Sequence, residues 1–141
     1  MLINYKVVGV AGWNALLNDS AAGNPACTVQ KFQPQFKDVV QPVTGYQAPS
    51  QALLPMQNTI VTLSLEGNMT YADAQTALAA VRTLRAALKG NQVHLQVIQG
   101  IETQYYPNGA LTDMKPSVVG ASVEHSFSFE TQDVTATAPT T

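Results

Sequence analysis

Between Thr59 and Gly90 the apolar period of the chain changes once, and this change restricts the fold more than any other feature. In TIVTLSLEG, Val61, Leu63 and Leu65 alternate with Thr62, Ser64 and Glu66, the two-residue period of a strand with one face in a core. Gly67 and Asn68 then end the run. Ala74, Ala77, Leu78, Val81, Leu84 and Leu88 follow at helical spacing and make one apolar stripe. Thr70 and Asp73 have the spacing of an N-terminal cap, with Asp in place of the usual Glu. Arg82, Arg85 and Lys89 lie towards the end where the helix dipole favours cations, and Gly90 is placed to terminate the helix. The reverse face, Thr76, Ala79, Ala80, Thr83, Ala86 and Ala87, is sparsely polar. Helix propensity accounts for the alanines, and small residues also let another subunit approach closely.

Further strands flank this unit. LINYKVVGV, residues 2–10, sets Ile3, Tyr5 and Val7 on one parity. In CTVQKFQPQFKDVV, residues 27–40, Phe32, Phe36 and Val40 share a face with Pro34. Pro34 has no donor for a ladder, so it implies an edge, a bulge or a bend between two short strands. VHLQVIQG, residues 93–100, alternates again, and Pro107, Asn108 and Gly109 mark a turn after Tyr105 and Tyr106. The last strand is expected over 117–132. Val119, Ala121, Val123, His125, Phe127 and Phe129 fall on one parity there, and Ser122, Glu124, Ser126, Ser128 and Glu130 on the other. Two polar, proline-rich or glycine-rich stretches, 13–26 and 41–57, are expected as long loops, each with an apolar pair: Leu16 with Leu17, and Leu53 with Leu54. Residues 133–141 are expected as an irregular arm, disordered or added to a neighbour.

At 141 residues the chain has the size of one domain. With Cys27 the only cysteine, it has no intrachain disulfide and no cysteine-rich zinc site. The N-terminus lacks the pattern of a secretory signal and no apolar run is long enough to cross a membrane, so a soluble, unprocessed protein in a reducing compartment is expected. A net charge of −2 without blocks of like charge gives no basic nucleic-acid footprint. Charged residues make up 11% of the chain, against roughly 25% in an average soluble domain. Interface cores are depleted of charge, so much of this surface is expected to be covered by neighbours.

Catalytic groups are scarce. His94 and His125 have no partner at short metal-ligand spacing, and Ser126 points to the opposite side of the strand from His125. Glu66, Glu124 and Glu130 share parities with Ser and Thr, as on a solvated face. The glycines form no phosphate-binding loop, and Cys27 lacks a basic or helix-start context. No catalytic residue, cofactor or metal is assigned.

The order of elements from 58 to 132 resembles the core of tailed-phage tail-tube and distal tail proteins. The resemblance rests on a strand ending in Gly (Leu63, Leu65, Gly67), a helix ending near Gly (Leu84, Leu88, Gly90), an alternating strand (Val93, Leu95, Val97) and a late strand finishing in F-x-F (Phe127, Phe129). It implies hexameric rings whose sheets join into a continuous barrel around a lumen, with the helix packed outside. On that resemblance the fold is α+β, a mostly antiparallel β-sandwich or barrel with one long helix packed on the sheet, in a single domain over 1–132.

The resemblance further implies a structural protein of the virion tail, assembled in the host cytoplasm, whose partners are other copies of itself, other tail proteins and, transiently, passing DNA. Leu16, Leu17, Leu53 and Leu54 are the expected interface residues. Ser122, Glu124, Ser126, Ser128 and Glu130 are the expected lumen face, since acidic or neutral walls avoid trapping phosphate. A distal ring at the tail tip, a monomeric binding module, and a small hydrolase using His94 or His125 with a carboxylate are the alternatives.

Overall fold

The computed structural model describes residues 1–20, 26–43 and 52–141, and the side chains of all of these except 39–43 and 52–57. Eight strands and one helix follow one another as β1 (Leu2–Val7), β2 (Asn14–Asn18), β3 (Ala26–Val43), β4 (Ala52–Thr70), α1 (Ala74–Leu88), β5 (Gln92–Gln99), β6 (Glu102–Met114), β7 (Ser117–Val119) and β8 (Ser122–Thr131). All strand pairs are antiparallel and belong to one open sheet, ordered β2-β1-β5-β6-β8-β4-β3, with β7 on β8 beside β6.

That sheet is strongly curved. In a flat sheet β3 and β6 would stand about 14 Å apart, three strand spacings, yet the rings of Phe32 and Tyr106 lie 5.9 Å apart. Its two ends also meet at one point, where Ser20 N donates to Cys27 O (2.8 Å) and Cys27 N donates back to Ser20 O (2.9 Å). Ile3 and Tyr5 of β1, Leu16 and Leu17 of β2, Leu63 and Leu65 of β4, Val93 and Leu95 of β5, and Phe127 and Phe129 of β8 therefore enter a single buried cluster. Burying each such side chain stabilises the fold by about 1.5–3 kcal/mol.

The helix covers part of this cluster with Leu84, Ala87 and Leu88. Asp73 alone is its N-cap: Asp73 Oδ1 accepts from Thr76 N at 2.7 Å, which holds that carboxyl below its usual range. Thr70 instead ends β4, its hydroxyl 3.2 Å from that of Ser122, which corrects its expected place in the cap. Leu78 is 59% exposed, not part of the inward stripe, because that stripe runs through Ala77, Val81, Leu84 and Leu88. Gly90 follows the helix at φ 74°, the left-handed position that glycine takes most easily.

Other expectations are corrected. Segment 13–26 contains strand β2, and segment 41–57 supplies the ends of β3 and β4, because the prolines are tolerated in a hairpin whose β3 is an edge strand. Pro34 lies opposite Leu63 on that edge, within one 18-residue strand. Pro107–Gly109 is no chain reversal but a bulge inside β6: Val93 faces Gly109 and Leu95 faces Tyr106, so two β6 residues oppose His94. The expected strand 117–132 is a small hairpin, reversing at Gly120 with φ 60°. The arm is not free of its own chain. Thr135 and Tyr105 exchange backbone bonds (2.8 and 2.9 Å), and Gly9 N donates to Thr141 O at 3.0 Å.

Candidate assembly surfaces and buried histidines

Strand β8 separates two chemistries. Val123, His125, Phe127, Phe129 and Thr131 are buried, whereas Glu124 and Glu130 are exposed and Ser122, Ser126 and Ser128 half-buried. The polar set continues across neighbouring strands by register, with Ser64 opposite Ser128, Glu66 opposite Ser126, and Asn68 opposite Glu124 on β4. On β3, Lys31 lies opposite Glu66 and Gln33 opposite Ser64. One face of the β3-β4-β8 sheet is thus a Ser, Gln, Asn and Glu surface that also carries Lys31 and, on the same parity opposite Ile60, Lys37. Because α1 packs on the cluster containing Phe127 and Phe129, helix and polar face lie on opposite sides of β8.

The four leucines separate. Leu16 and Leu17 are 1% and 0% exposed inside the chain's own core, so they are not an exposed apolar pair on a loop. The cause is a bulge. Ile3 pairs with Leu17 and Asn4 with Ala15, leaving Leu16 out of register and allowing two consecutive side chains to turn inward. Leu53 and Leu54 have backbones in β4, opposite Pro42 and Gln41; their side chains lie outside the described residues. β8 pairs with β4 only from Val61 onward. The hairpin from the Lys37–Ile60 pair to the Val43–Ala52 pair therefore extends roughly 20 Å past its last flanking strand. Phe36 and Ile60 at its base are 48% and 46% exposed.

Neither histidine meets a carboxylate among the described residues. His94, 1% exposed, accepts from Asn108 N at Nδ1 (3.0 Å), so Nε2 carries the proton and donates to Thr141 Oγ1 (3.1 Å). It clasps the β6 bulge to the C-terminal segment. Burial, then the charge of Lys6, lowers its pKa. His125, 2% exposed, stacks on Phe127 at 5.4 Å and 11° and lies 3.3 Å from the Tyr71 hydroxyl, which itself donates to Met69 Sδ at 3.4 Å. This series of bonds assigns the imidazole proton to Nε2 and leaves the buried Nδ1 without a partner among the described residues. Burial pushes the His125 pKa down to about 4.

Cys27 is buried, and desolvation followed by the charge of Asp19 raises its pKa, so its thiol stays protonated. No group of three His, Cys, Asp or Glu among the described residues is arranged to hold a metal. A shallow groove of about 200 Å³ beside the polar face is lined by Gln30, Glu66, Lys115, Ser117, Glu124, His125 and Ser126. A larger one of about 650 Å³ runs between Asn58–Ile60 and Gln132–Asp133.

No protein-family model matches the chain, and no curated protein matches it. Solved structures do. A chain in the tail of an empty GTA particle, obtained by helical refinement with C6 symmetry, aligns over 97% of this chain and 95% of its own length, at a TM-score of 0.56 and 15% identity. The fold is tail-tube-like. A chain from the six-fold symmetrised baseplate of the anti-feeding prophage (AFP) aligns over 95% and 89%, at a TM-score of 0.47 and 13% identity. At such identities the tail-tube-like likeness is one of fold, and function has to be argued from surfaces.

Proposed function

We propose that this chain is a structural tail protein of a phage-like particle, assembling into hexameric rings that stack as a tube through which DNA passes. The observation that carries the proposal is the alignment of nearly the whole chain on a subunit of a helical, C6-symmetric tail. The opposed placement of α1 and the Ser and Glu face supports it: with the helix outward, Ser122, Glu124, Ser126, Ser128 and Glu130 turn to the lumen. On that face Glu66, Glu124 and Glu130 offset Lys31 and Lys37, so the wall holds passing phosphate weakly. The outer edge of β3 beyond its bridge to Ser20 and the protruding β3–β4 hairpin, with Leu53 and Leu54 in it, are the self-association elements. Edge pairing between copies removes open edges, and a heterologous contact that closes on itself makes a ring.

Negative-stain microscopy of the purified protein tests this proposal. Six-fold rings or tubes are expected; single rings that never stack would favour a distal ring at the tail tip. Light scattering that reports a monomer across the accessible concentration range, with no rings on the grid, would overturn it.

A further inference from the structure

The outward side of α1 carries a line of exposed side chains apart from the β3 edge and hairpin proposed for ring assembly. Leu78, Arg82, Arg85 and Lys89 are all exposed. Their spacing of four, three and four residues keeps them within roughly 60° of one another around the helix, along about 16 Å of its length. Both arginines of the chain are in this stripe, and no Asp or Glu occurs between Asp73 and Glu102. Among the described residues the ion pairs are Met1 with Asp19 and Lys115 with Asp113; none involves the three helix cations. Beyond Lys89 the stripe runs into a groove of about 350 Å³ lined by Gly90, Asn91, Gln92, Ala110 and Leu111, which contains no carboxylate.

We propose that this stripe docks an acidic amphipathic segment of a second protein, with carboxylates against Arg82, Arg85 and Lys89 and one apolar side chain against Leu78. Guanidinium groups one turn apart match carboxylates in a forked, two-bond geometry. Leu78 offers nothing to a phosphate polymer but a contact to an apolar side chain, and the net charge of −2 repels a polyanion at long range. The stripe is exposed on the single chain, so the inference does not depend on ring formation; in a tube with the polar face inward it lies outside.

The test titrates the full chain with a fluorescent synthetic helical peptide that carries glutamates one turn apart and a leucine at one end. Arg82→Glu combined with Arg85→Glu is expected to weaken binding by about tenfold or more and to prefer a peptide with lysines in place of the glutamates. Leu78→Ser is expected to weaken binding several-fold even at high salt, where screening removes the charge term. Circular dichroism confirms that each variant is folded. Peptide affinity indifferent to the double reversal would overturn the proposal. Tighter capture of duplex DNA or phosphatidylglycerol vesicles through the same residues, or variants that alter only self-association of the chain, would also overturn it.

Discussion

Leu17 occupies the space that a side chain on Gly67 would need. A Cβ at Gly67 would lie 2.9 Å from Leu17 Cδ2, 3.2 Å from Leu17 Cδ1 and 3.2 Å from Thr28 O. Gly67 sits within β4, opposite Val29 on one side and His125 on the other. The bulged strand β2 therefore closes the core through a gap that only glycine leaves open.

Gly67→Ala should destabilise the isolated chain by about 1–3 kcal/mol through overpacking, and Leu17→Ala by about 2–5 kcal/mol through cavity formation. The double variant should lose less than the sum, because truncating Leu17 makes room for the new methyl. Urea unfolding of dilute protein reads all three. A loss confined to assembly, with subunit stability intact, would mean that Leu17 works at an interface instead.

His125 should make the fold acid-sensitive. Its pKa is about 4 in the folded chain against an ordinary 6.5, so between these values the unfolded chain binds a proton that the folded one refuses. Stability is then lost as pH falls through this window, by up to about 3 kcal/mol. His94, also shifted down, adds to the slope with the same sign. His125→Phe should keep stability at pH 7 and flatten the decline between pH 6.5 and 4; an unchanged decline would remove His125 as its source.

The protruding hairpin should be dispensable for the fold. Asp38 and Thr59 face each other, and Thr59 Oγ1 donates to Asp38 Oδ1 at 2.8 Å, so an Asn-Gly turn joining them can replace residues 39–58. The melting temperature of the shortened chain should change little, while rings and tubes disappear from micrographs. Undiminished rings would show that the hairpin is no assembly element.

Charge reversal on the polar face should affect only what passes it. Glu124→Lys with Glu130→Lys changes two exposed side chains and should alter subunit stability by less than about 0.5 kcal/mol. Assembled tubes should then retain short duplex DNA in a salt-dependent manner. Equal DNA retention by both proteins would place these residues away from the channel.

Where one period ran undisturbed, the sequence could be read directly. Val61, Leu63 and Leu65, and Val123 through Phe129, entered the core on the expected parity, and Gly90 ended α1. Bulges defeated the reading elsewhere, since one extra residue on a strand breaks the alternation by which it is recognised. Leu16 and Leu17 therefore looked like a loop pair. Pro107, Asn108 and Gly109, strong turn formers, hid a strand whose Gly109 must be bare because a Cβ there would lie 2.7 Å from Thr131 Cγ2. Prolines similarly disguised the ends of β3 and β4. The polar face was legible as a parity, but its extent was not, because register to β4 and β3 is set by contacts remote in sequence.

Strand β4 has 19 residues, a length of roughly 60 Å, with the hairpin at its start and the β7–β8 reversal beside Thr70 at its finish. Among the described residues the two ends are unlike. Copies joined in series along that axis would make a filament with a front and a back, on which incoming subunits meet a different landing surface at each tip. Growth could then be started and stopped by two unrelated proteins, each shaped to one tip alone.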